Sequence, residues 1–359
     1  MTPLHRHSDY MQWAKLHSKS RFNLATSGVG GYPLRELAAT IDQLEINGDN
    51  SYGFAPLQHA IATQYAVDPA CVVEAAGTSM ANYLAMAALI DPGDEVLIES
   101  PTYELIVSAA RYLQAKIVRF ARREENGFAV DPEEIRKTIT ARTKVVFLTN
   151  LHNPSSVLTP DSILRRVGDI AASVGAKVIV DEVYLDAVYD NTPRTSFHLG
   201  NNFVVTNSLT KVYGLSGLRC GWILAQPDLA RAMYALNDLF AATPVYPTEI
   251  LSVIAFQNLD KIRERARKIV EADRADLTSF LDANSAHLTA VRSPYGTTCF
   301  PKLLHGDVVD LLQRLRTKFE TTVVPGQFFE MSDHFRIGMG VNHEMFTEGL
   351  QRLTQALQS

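Results

Sequence analysis

One lysine, Lys211, is surrounded by residue types that could make its amine reactive. It follows a short apolar run, Phe203–Thr206, which predicts a buried strand, and glycines come soon after it. Burial favours the neutral form of an amine, which can then act as a nucleophile. Ser208 and Arg219 supply a hydroxyl donor and a planar cation that suit a phosphate. The stretch therefore indicates the Schiff-base chemistry of pyridoxal phosphate, and a surface lysine beside an unrelated arginine explains it equally well.

A second candidate phosphate site lies earlier in the chain. Gly77, Thr78 and Ser79 separate a predicted strand, Val72–Ala76, from a helix predicted over Met80–Ile90. A strand, a turn of small residues and a helix start leave free amides and a helix dipole for an anion. Simple capping of the helix by a hydroxyl residue explains the same pattern.

Two further side chains lie a few residues past the ends of predicted strands. Tyr103 follows the strand Glu95–Glu99 and could stack on a flat ring, although a packed core tyrosine is the commoner case. Asn153 follows the strand Lys144–Leu148 and precedes a proline, which holds its backbone extended. Ligands gather at the carboxyl ends of strands in open α/β sheets, so both side chains are candidates for a site.

Two charged side chains lie in apolar surroundings and need partners. Asp181 ends the apolar strand Lys177–Val180. Its partner could be a protonated pyridine nitrogen, a metal shared with Glu182 or a helix start, but alternation along a strand would place Glu182 on the opposite face. Arg336 lies on a short apolar strand and should pair with a structural carboxylate or with a substrate carboxylate.

The elements that carry these residues alternate between strand and helix as far as Trp222. A helical pattern also covers Leu34–Leu44. After Trp222 helices are predicted over Pro227–Ala241 and Pro247–Leu281, followed by a mixture of short strands and helices. The order predicts an α/β fold with a second, α+β domain.

Composition limits the classes of function. The chain has 359 residues, 46% hydrophobic and 20% charged, which is typical of a soluble globular protein. Its net charge of -5 gives no basic surface for nucleic acid. Three widely spaced cysteines show no metal spacing and predict reduced thiols in a cytoplasm. We expect no signal peptide in the polar segment Met1–Tyr10, no metal site and no membrane contact.

Taken in order, these segments resemble the fold-type I pyridoxal-phosphate enzymes, specifically the class I/II aminotransferases of the aspartate aminotransferase superfamily. The resemblance runs from Asn23 to the last helix. Its most specific part is an ordered set of motifs: Asn153–Pro154, Asp181–x–x–Tyr184 and Ser208–x–x–Lys211, with Arg219 eight residues after the lysine.

The resemblance implies a role for each candidate residue. Lys211 would form the Schiff base, and Asp181 and Tyr184 would complete the catalytic group. The residues implied to hold the cofactor are Gly77, Thr78, Ser79, Tyr103, Asn153, Asp181, Tyr184, Ser208, Lys211, Arg219 and, across a dimer interface, Tyr52. Gly28, Asn153 and Arg336 would bind the substrate.

The resemblance also implies the architecture. A large domain, residues 45–245, would hold a mostly parallel seven-stranded sheet, and residues 1–44 and 246–359 would form a small domain. The protein would be a homodimer with shared active sites. Two departures stand out: Ser155–Ser156 replace the Thr-Gly of the family's Asn-Pro-Thr-Gly, and the N-terminal segment that closes over substrate is short.

The implied activity is the transfer of an amino group from an L-amino acid to a 2-oxo acid in a ping-pong cycle. A lyase, a synthase or a racemase on the same fold would keep the same residues. A cofactor-sensing transcription regulator would need a DNA-binding domain, and no basic helix-turn-helix precedes Asn23. A plain nucleotide-binding protein is disfavoured because the glycine fingerprints are absent.

Overall fold

A computed structural model describes residues 6–17 and 20–359. Part of the segment on which the expectation of no signal peptide rests, residues 1–5, lies outside the described residues. Among the described residues, no helix combines the length and the apolar composition that crossing a membrane requires.

Helices and strands alternate through the first two thirds of the described chain. The helices are α1 (Asp9–His17), α2 (Ala55–Tyr65), α3 (Thr78–Ala87), α4 (Glu104–Tyr112), α5 (Pro132–Thr138), α6 (Asp161–Ala172), α7 (Pro227–Asn237), α8 (Tyr246–Gln257), α9 (Leu259–Ala283), α10 (Val308–Phe319) and α11 (His343–Gln358). The strands are β1 (Phe22–Asn23), β2 (Val72–Ala76), β3 (Glu95–Ser100), β4 (Lys116–Ala121), β5 (Thr143–Thr149), β6 (Lys177–Asp181), β7 (Phe203–Ser208), β8 (Cys220–Leu224), β9 (Leu288–Thr289), β10 (Thr298–Cys299), β11 (Lys302–Leu303), β12 (Thr321–Thr322), β13 (Val324–Pro325) and β14 (Phe335–Gly338).

A seven-stranded sheet forms the centre of the fold. Its strand order is β2-β8-β7-β6-β5-β3-β4. Only β8 runs antiparallel to its two neighbours, and the other pairs of the sheet are parallel. The predicted α/β class with a mostly parallel seven-stranded sheet is therefore confirmed.

The apolar strands are buried because helices cover both faces of this sheet. Alternate residues of one strand enter different cores, as the twofold side-chain period of a strand requires. In β5, Val145 and Phe147 pack with α3, α4 and α7, whereas Val146 and Leu148 pack with α5 and α6. The polar residues that end β5, β6 and β7 consequently emerge together at one edge of the sheet.

The two ends of the chain meet in smaller sheets beside the central one. Strand β1 pairs in parallel with β12, and β14 pairs antiparallel with β10 and β13. Helices α9, α10 and α11 enclose a separate apolar core that also contains Leu24. The expected domain boundaries, 45–245 against 1–44 with 246–359, stay a prediction.

One helix prediction is wrong, and another covers two helices. The segment Leu34–Leu44 forms two single 3₁₀ turns: Leu34 and Ile41 are exposed, and Ala38 between the turns has a positive φ of 59°, which a right-handed helix does not contain. The helical segment predicted over Pro247–Leu281 forms two helices, α8 and α9. Asn258 separates them: its side chain donates to the Ile254 carbonyl, and its backbone leaves the helical region.

Candidate active site

A cavity of about 330 Å³ lies at the carboxyl ends of β5, β6 and β7 and at the start of α3. This is the edge of the sheet where ligands gather in α/β folds. Eight of the residues singled out from the sequence line it: Thr78, Ser79, Tyr103, Asn153, Asp181, Tyr184, Lys211 and Arg219.

The amine of Lys211 lies inside the cavity. Its Nζ donates to the hydroxyl of Ser27 at 3.1 Å. Burial lowers the pKa of Lys211, because removal from water disfavours the charged amine. The amine is thus held where a larger fraction of it is neutral than for a lysine in water.

Ser27 links this lysine to Tyr184. The Ser27 hydroxyl also accepts a hydrogen bond from the Tyr184 hydroxyl at 2.8 Å. The next residue, Gly28, is buried against Lys211, and a Cβ there would lie 3.1 Å from the lysine Cα. Ser27 was missed from the sequence, although glycines follow it at positions 28, 30 and 31 and such a stretch can bring backbone amides close to a ligand.

Asp181 is a buried carboxylate held by two neutral donors. Asn82 Nδ2 donates to it at 2.8 Å and the Val183 amide at 3.0 Å. Asn82 is itself fixed by the hydroxyl of Thr206. Burial raises the pKa of Asp181 to about 6, and no cation of the described residues lies within ion-pair distance of it.

The metal alternative for Asp181 finds no support in the position of Glu182. Glu182 lies on the other side of the strand, where it accepts hydrogen bonds from the amide and the hydroxyl of Ser196 at 2.8 and 2.6 Å. The two carboxylates therefore face different surroundings and do not converge on one ion.

Hydroxyls, a helix start and a guanidinium converge at the other end of the cavity. Thr78 Oγ1 donates to Ser208 Oγ at 2.8 Å, and Ser208 also accepts from the Thr210 amide. The Thr210 hydroxyl is buried without a hydrogen-bond partner. The first amides of α3 have no partner inside the helix either. This end is rich in unsatisfied donors, as an anion site requires.

Gly77 allows Arg219 to reach this end of the cavity. A Cβ on Gly77 would lie 2.3 Å from Arg219 Nη2, and the glycine has φ +79°, a conformation that L side chains rarely adopt. Arg219 Nη2 donates to the Ala76 carbonyl at 3.0 Å. Gly77 and Ser208 thus stand behind the cavity wall, where they position the residues that line it.

Arg336 is fully buried, with 0% exposure. Its Nη1 donates to Asn153 Oδ1 at 2.9 Å, and its Nη2 donates to the Tyr10 hydroxyl at 3.0 Å and to the Ala25 carbonyl. Its Nε has no partner. Among the described residues there is no carboxylate within ion-pair distance of Arg336, so the structural carboxylate that the sequence left open as its partner is not found.

Helix α1 forms a wall of the cavity that the sequence did not indicate. One face of it contributes Tyr10, Met11, Trp13, Ala14 and His17. These positions recur every three to four residues, which places them on one side of a helix. Tyr103 faces this wall, with its ring 5.4 Å from that of Tyr10 in an edge-to-face arrangement. Helix α1 therefore covers the site.

Tyr52 does not reach this cavity. It lies in a turn before α2 and is 70% exposed. Its hydroxyl is available to a neighbouring molecule and not to the site of its own chain.

The unsatisfied groups of the cavity match pyridoxal phosphate in kind and in order. The anion end of Thr78, Thr210 and Arg219 suits the phosphate. A buried amine suits the aldehyde, and the uncompensated carboxylate of Asp181 suits a protonated ring nitrogen. The residues present therefore fit the cofactor.

Known proteins that resemble this chain include enzymes of the same kind. The family model described as aminotransferase class I and II matches residues 33–353. The chain is 29% identical to capreomycidine synthase of Streptomyces vinaceus over 94% of its own length and 90% of that protein. It is 25% identical to a probable aspartate/prephenate aminotransferase of Aquifex aeolicus, covering 86% of this chain and 82% of that one.

The fold is also shared with solved structures. A pyridoxal-phosphate-dependent aminotransferase from Streptococcus suis 89-1591 superposes with a TM-score of 0.93 at 24% identity, over 100% of this chain and 98% of that chain.

Proposed function

Because the chain belongs to the aminotransferase class I and II family of pyridoxal-phosphate-dependent enzymes, we propose that it transfers the amino group of an L-amino acid to a 2-oxo acid in a ping-pong cycle. The observation that carries the proposal is the placement of Lys211 and Asp181. A buried amine and a buried, uncompensated carboxylate line one cavity, and an anion site lies at its end.

Each group of residues has a defined part in holding the cofactor. Thr78, Ser79 and Arg219 would hold the phosphate, with Gly77 and Ser208 behind them. Tyr103 would pack against the ring, and Asp181 would keep the ring nitrogen protonated. Asn153 and Tyr184 would donate to the oxygen on the ring, Tyr184 in place of its bond to Ser27. When bound, the cofactor supplies a conjugated cation that withdraws electrons from the α-carbon of the amino acid.

Lys211 moves the proton in this proposal. Its amine is less basic than that of a lysine in water, so a larger fraction of it is neutral and able to accept a proton. The bond to Ser27 holds Nζ on the side of the cavity that also carries Tyr184. In the first half of the cycle Lys211 would take the α-proton of the amino acid and pass it to the cofactor carbon that keeps the amino group. In the second half it would carry a proton back from that carbon to the α-carbon of the oxo acid.

The experiment that tests transamination is a single half-reaction. The holoenzyme is mixed with an amino acid alone, and the products are counted for each active site. We expect one equivalent of 2-oxo acid, after which the reaction stops until a 2-oxo acid is added. Continuous release of product without an acceptor would contradict the proposal.

A synthase reaction is the second candidate, because the relative that matches 94% of the chain is named capreomycidine synthase. A synthase on this fold would keep Lys211, Asp181 and Arg336. The same half-reaction separates the two functions. A synthase would convert its amino acid through many turnovers with no acceptor present and would leave the amino group on the product.

The lining of the cavity favours a neutral substrate side chain. Among the described lining residues, the acidic and basic ones are His17, Asp181, Lys211 and Arg219. The last three are assigned to the cofactor, and burial lowers the pKa of His17, which favours its neutral form. The remaining wall includes Met11 and Trp13, which offer apolar contact.

We therefore expect apolar and aromatic L-amino acids to be the best donors. Their kcat/KM should exceed that of aspartate and arginine by at least about tenfold, since a charged side chain would be buried without a partner. Steady-state rates with a panel of donors at one fixed oxo acid measure this. A clear preference for aspartate or arginine would contradict the expectation.

We also propose that the protein is a homodimer with shared active sites. Large apolar side chains are exposed in two segments, residues 34–52 and 239–245, among them Ile46 and Leu239. The segments are neighbours, since Asn50 donates to the Pro244 carbonyl at 3.1 Å. An exposed apolar patch of this kind marks an interaction surface, and Tyr52 lies within it.

Breaking this surface should separate the subunits. We expect wild type to sediment at about twice the chain mass of 39.7 kDa and Ile46→Glu to shift toward the monomer, because a buried charge without a partner opposes association. Val309→Glu is the matched control, since Val309 is exposed on α10, away from this surface. A monomeric wild type, or equal effects of both variants, would contradict the proposal.

A further inference from the structure

Tyr10 on α1 occupies an unusual position for a tyrosine of a terminal helix. It is 8% exposed and lies at the junction of α1, the cavity and Arg336. Its hydroxyl accepts a hydrogen bond from Arg336 Nη2 at 3.0 Å. Its ring lies 5.8 Å from the guanidinium carbon of Arg336 and 5.4 Å from the ring of Tyr103.

The hydroxyl of Tyr10 still has a proton to donate. A phenol both donates and accepts hydrogen bonds, and here its oxygen accepts from a guanidinium that can only donate. The proton must therefore point elsewhere. In the part of the chain that the structure describes, no acceptor lies within hydrogen-bond distance of it. A buried donor without an acceptor is unfavourable, so the site is built for an acceptor that is not part of this chain.

The surroundings of Arg336 indicate that this acceptor is negatively charged. Its described partners, Asn153, Ala25 and Tyr10, are neutral oxygens, and its Nε has no partner. A fully buried cation without an anion is costly. The acceptor beside Tyr10 should therefore be an anion with two oxygens, which suits the planar fork of a guanidinium.

We propose that Tyr10 is a second ligand of the substrate carboxylate: its hydroxyl donates to one carboxylate oxygen while Arg336 pairs with the group. The inference rests on the proposed function only in that the substrate carries a carboxylate. Tyr10 lines the cavity, whereas Arg336 lies directly behind it and donates to the tyrosine hydroxyl. A carboxylate that accepts from the Tyr10 hydroxyl therefore lies beside the guanidinium.

Through Tyr10, binding of the carboxylate would also position helix α1. Trp13, Ala14 and His17 follow Tyr10 along the face of α1 that lines the cavity. A hydrogen bond from Tyr10 to the carboxylate fixes this face over the substrate side chain. Tyr10 thus binds the carboxylate and also belongs to the helix that covers the cavity.

The test is the binding of two probes that differ only in the carboxylate. The holoenzyme of wild type and of Tyr10→Phe is titrated calorimetrically with 3-phenylpropanoate and with 3-phenylpropanamide. We expect Tyr10→Phe to weaken binding of the acid about tenfold, the usual effect of losing one hydrogen bond to a charged group. Binding of the amide should change less than twofold. Tyr112→Phe, on the exposed part of α4, is the matched control and should change neither.

Other results would overturn the inference. Equal weakening of acid and amide would show that Tyr10 only shapes the cavity, and unchanged binding of both would show that its hydroxyl takes no part. Thermal unfolding of both variants identifies a change caused by misfolding, and Tyr10→Phe keeps the ring contacts with Tyr103. The titration involves no turnover, so it can fail while transamination is observed, or succeed while transamination is not.

Discussion

Replacing Asp181 with asparagine is expected to have opposite effects on the cofactor-free protein and on the working enzyme. Without cofactor, the variant should gain stability relative to wild type as the pH rises. With cofactor, it should lose most of its activity. Both effects follow from one observation, a buried carboxylate with no cationic partner among the described residues.

The stability effect follows from the pKa of Asp181. Burial raises it from 3.8 to about 6 in the folded protein. The folded state therefore holds this proton more tightly than the unfolded chain, and the stabilising contribution is present below pH 3.8 and lost as pH rises through 6. At 1.36 kcal/mol for each pH unit, wild type should lose about 3 kcal/mol relative to Asp181→Asn over this range. Denaturant unfolding of the two cofactor-free proteins at pH 4 and pH 8 measures the difference.

The catalytic effect follows from the missing anion. Asparagine cannot stabilise a protonated ring nitrogen by charge, so we expect kcat/KM of the holoenzyme to fall about 10³-fold, the usual order for removing one aligned electrostatic group. Glu182→Gln is the matched control. Burial also raises the pKa of Glu182, to about 7, yet its carboxylate faces Ser196 and not the cavity.

The Glu182→Gln variant should therefore show a similar dependence of stability on pH and keep activity within a few-fold of wild type. If Asp181→Asn retained wild-type activity, the pairing of Asp181 with the ring nitrogen would be wrong. If both variants lost activity equally, the cause would be a change in β6 as a whole.

Replacing Lys211 with alanine should remove catalysis almost completely. The variant loses the amine that accepts and returns the α-proton, and general acid–base groups of this kind contribute up to about 10⁴-fold. We expect a loss of at least about 10³-fold in kcat. The residues of the anion end do not depend on the lysine side chain, so the variant should still bind the cofactor reversibly.

Stopped-flow rates and equilibrium dialysis of the cofactor separate these two effects. Lys144→Ala, an exposed residue of β5, controls for removal of a lysine. Retention of more than a tenth of the wild-type kcat by Lys211→Ala would assign the proton transfer to another group. Loss of cofactor binding together with activity would show that the lysine is needed for the site to form.

The part of the site that follows strands could be predicted from the sequence. Asp181 comes directly after an apolar run and Asn153 lies shortly after another, and parallel strands bring such positions to one edge of the sheet. Gly77 was identified because a strand, a small-residue turn and a helix start are visible as a local pattern. Such local patterns of strands, turns and helix starts can be recognised in a single sequence.

The rest depends on contacts that no local pattern shows. Strand β8 lies in a segment rich in glycine, and its antiparallel pairing with β2 and β7 decides that it is a strand. Asn82 lies within the helix predicted over Met80–Ile90 and on the buried side of α3, and its sequence position does not show that it donates to Asp181. Ser27 is separated from Lys211 by 184 residues. Nothing in the sequence of helix α1 indicates a ligand, and only tertiary packing shows that it covers the cavity.

The central claim is that Lys211 is the residue that bonds the aldehyde of the cofactor. Borohydride makes such a bond permanent, so the holoenzyme is reduced, digested and mapped by mass spectrometry. The cofactor should be found on the peptide that contains Lys211, at close to one equivalent for each chain, and on no peptide of the Lys211→Ala variant. A label on another lysine, or an unchanged label in the variant, would contradict the account.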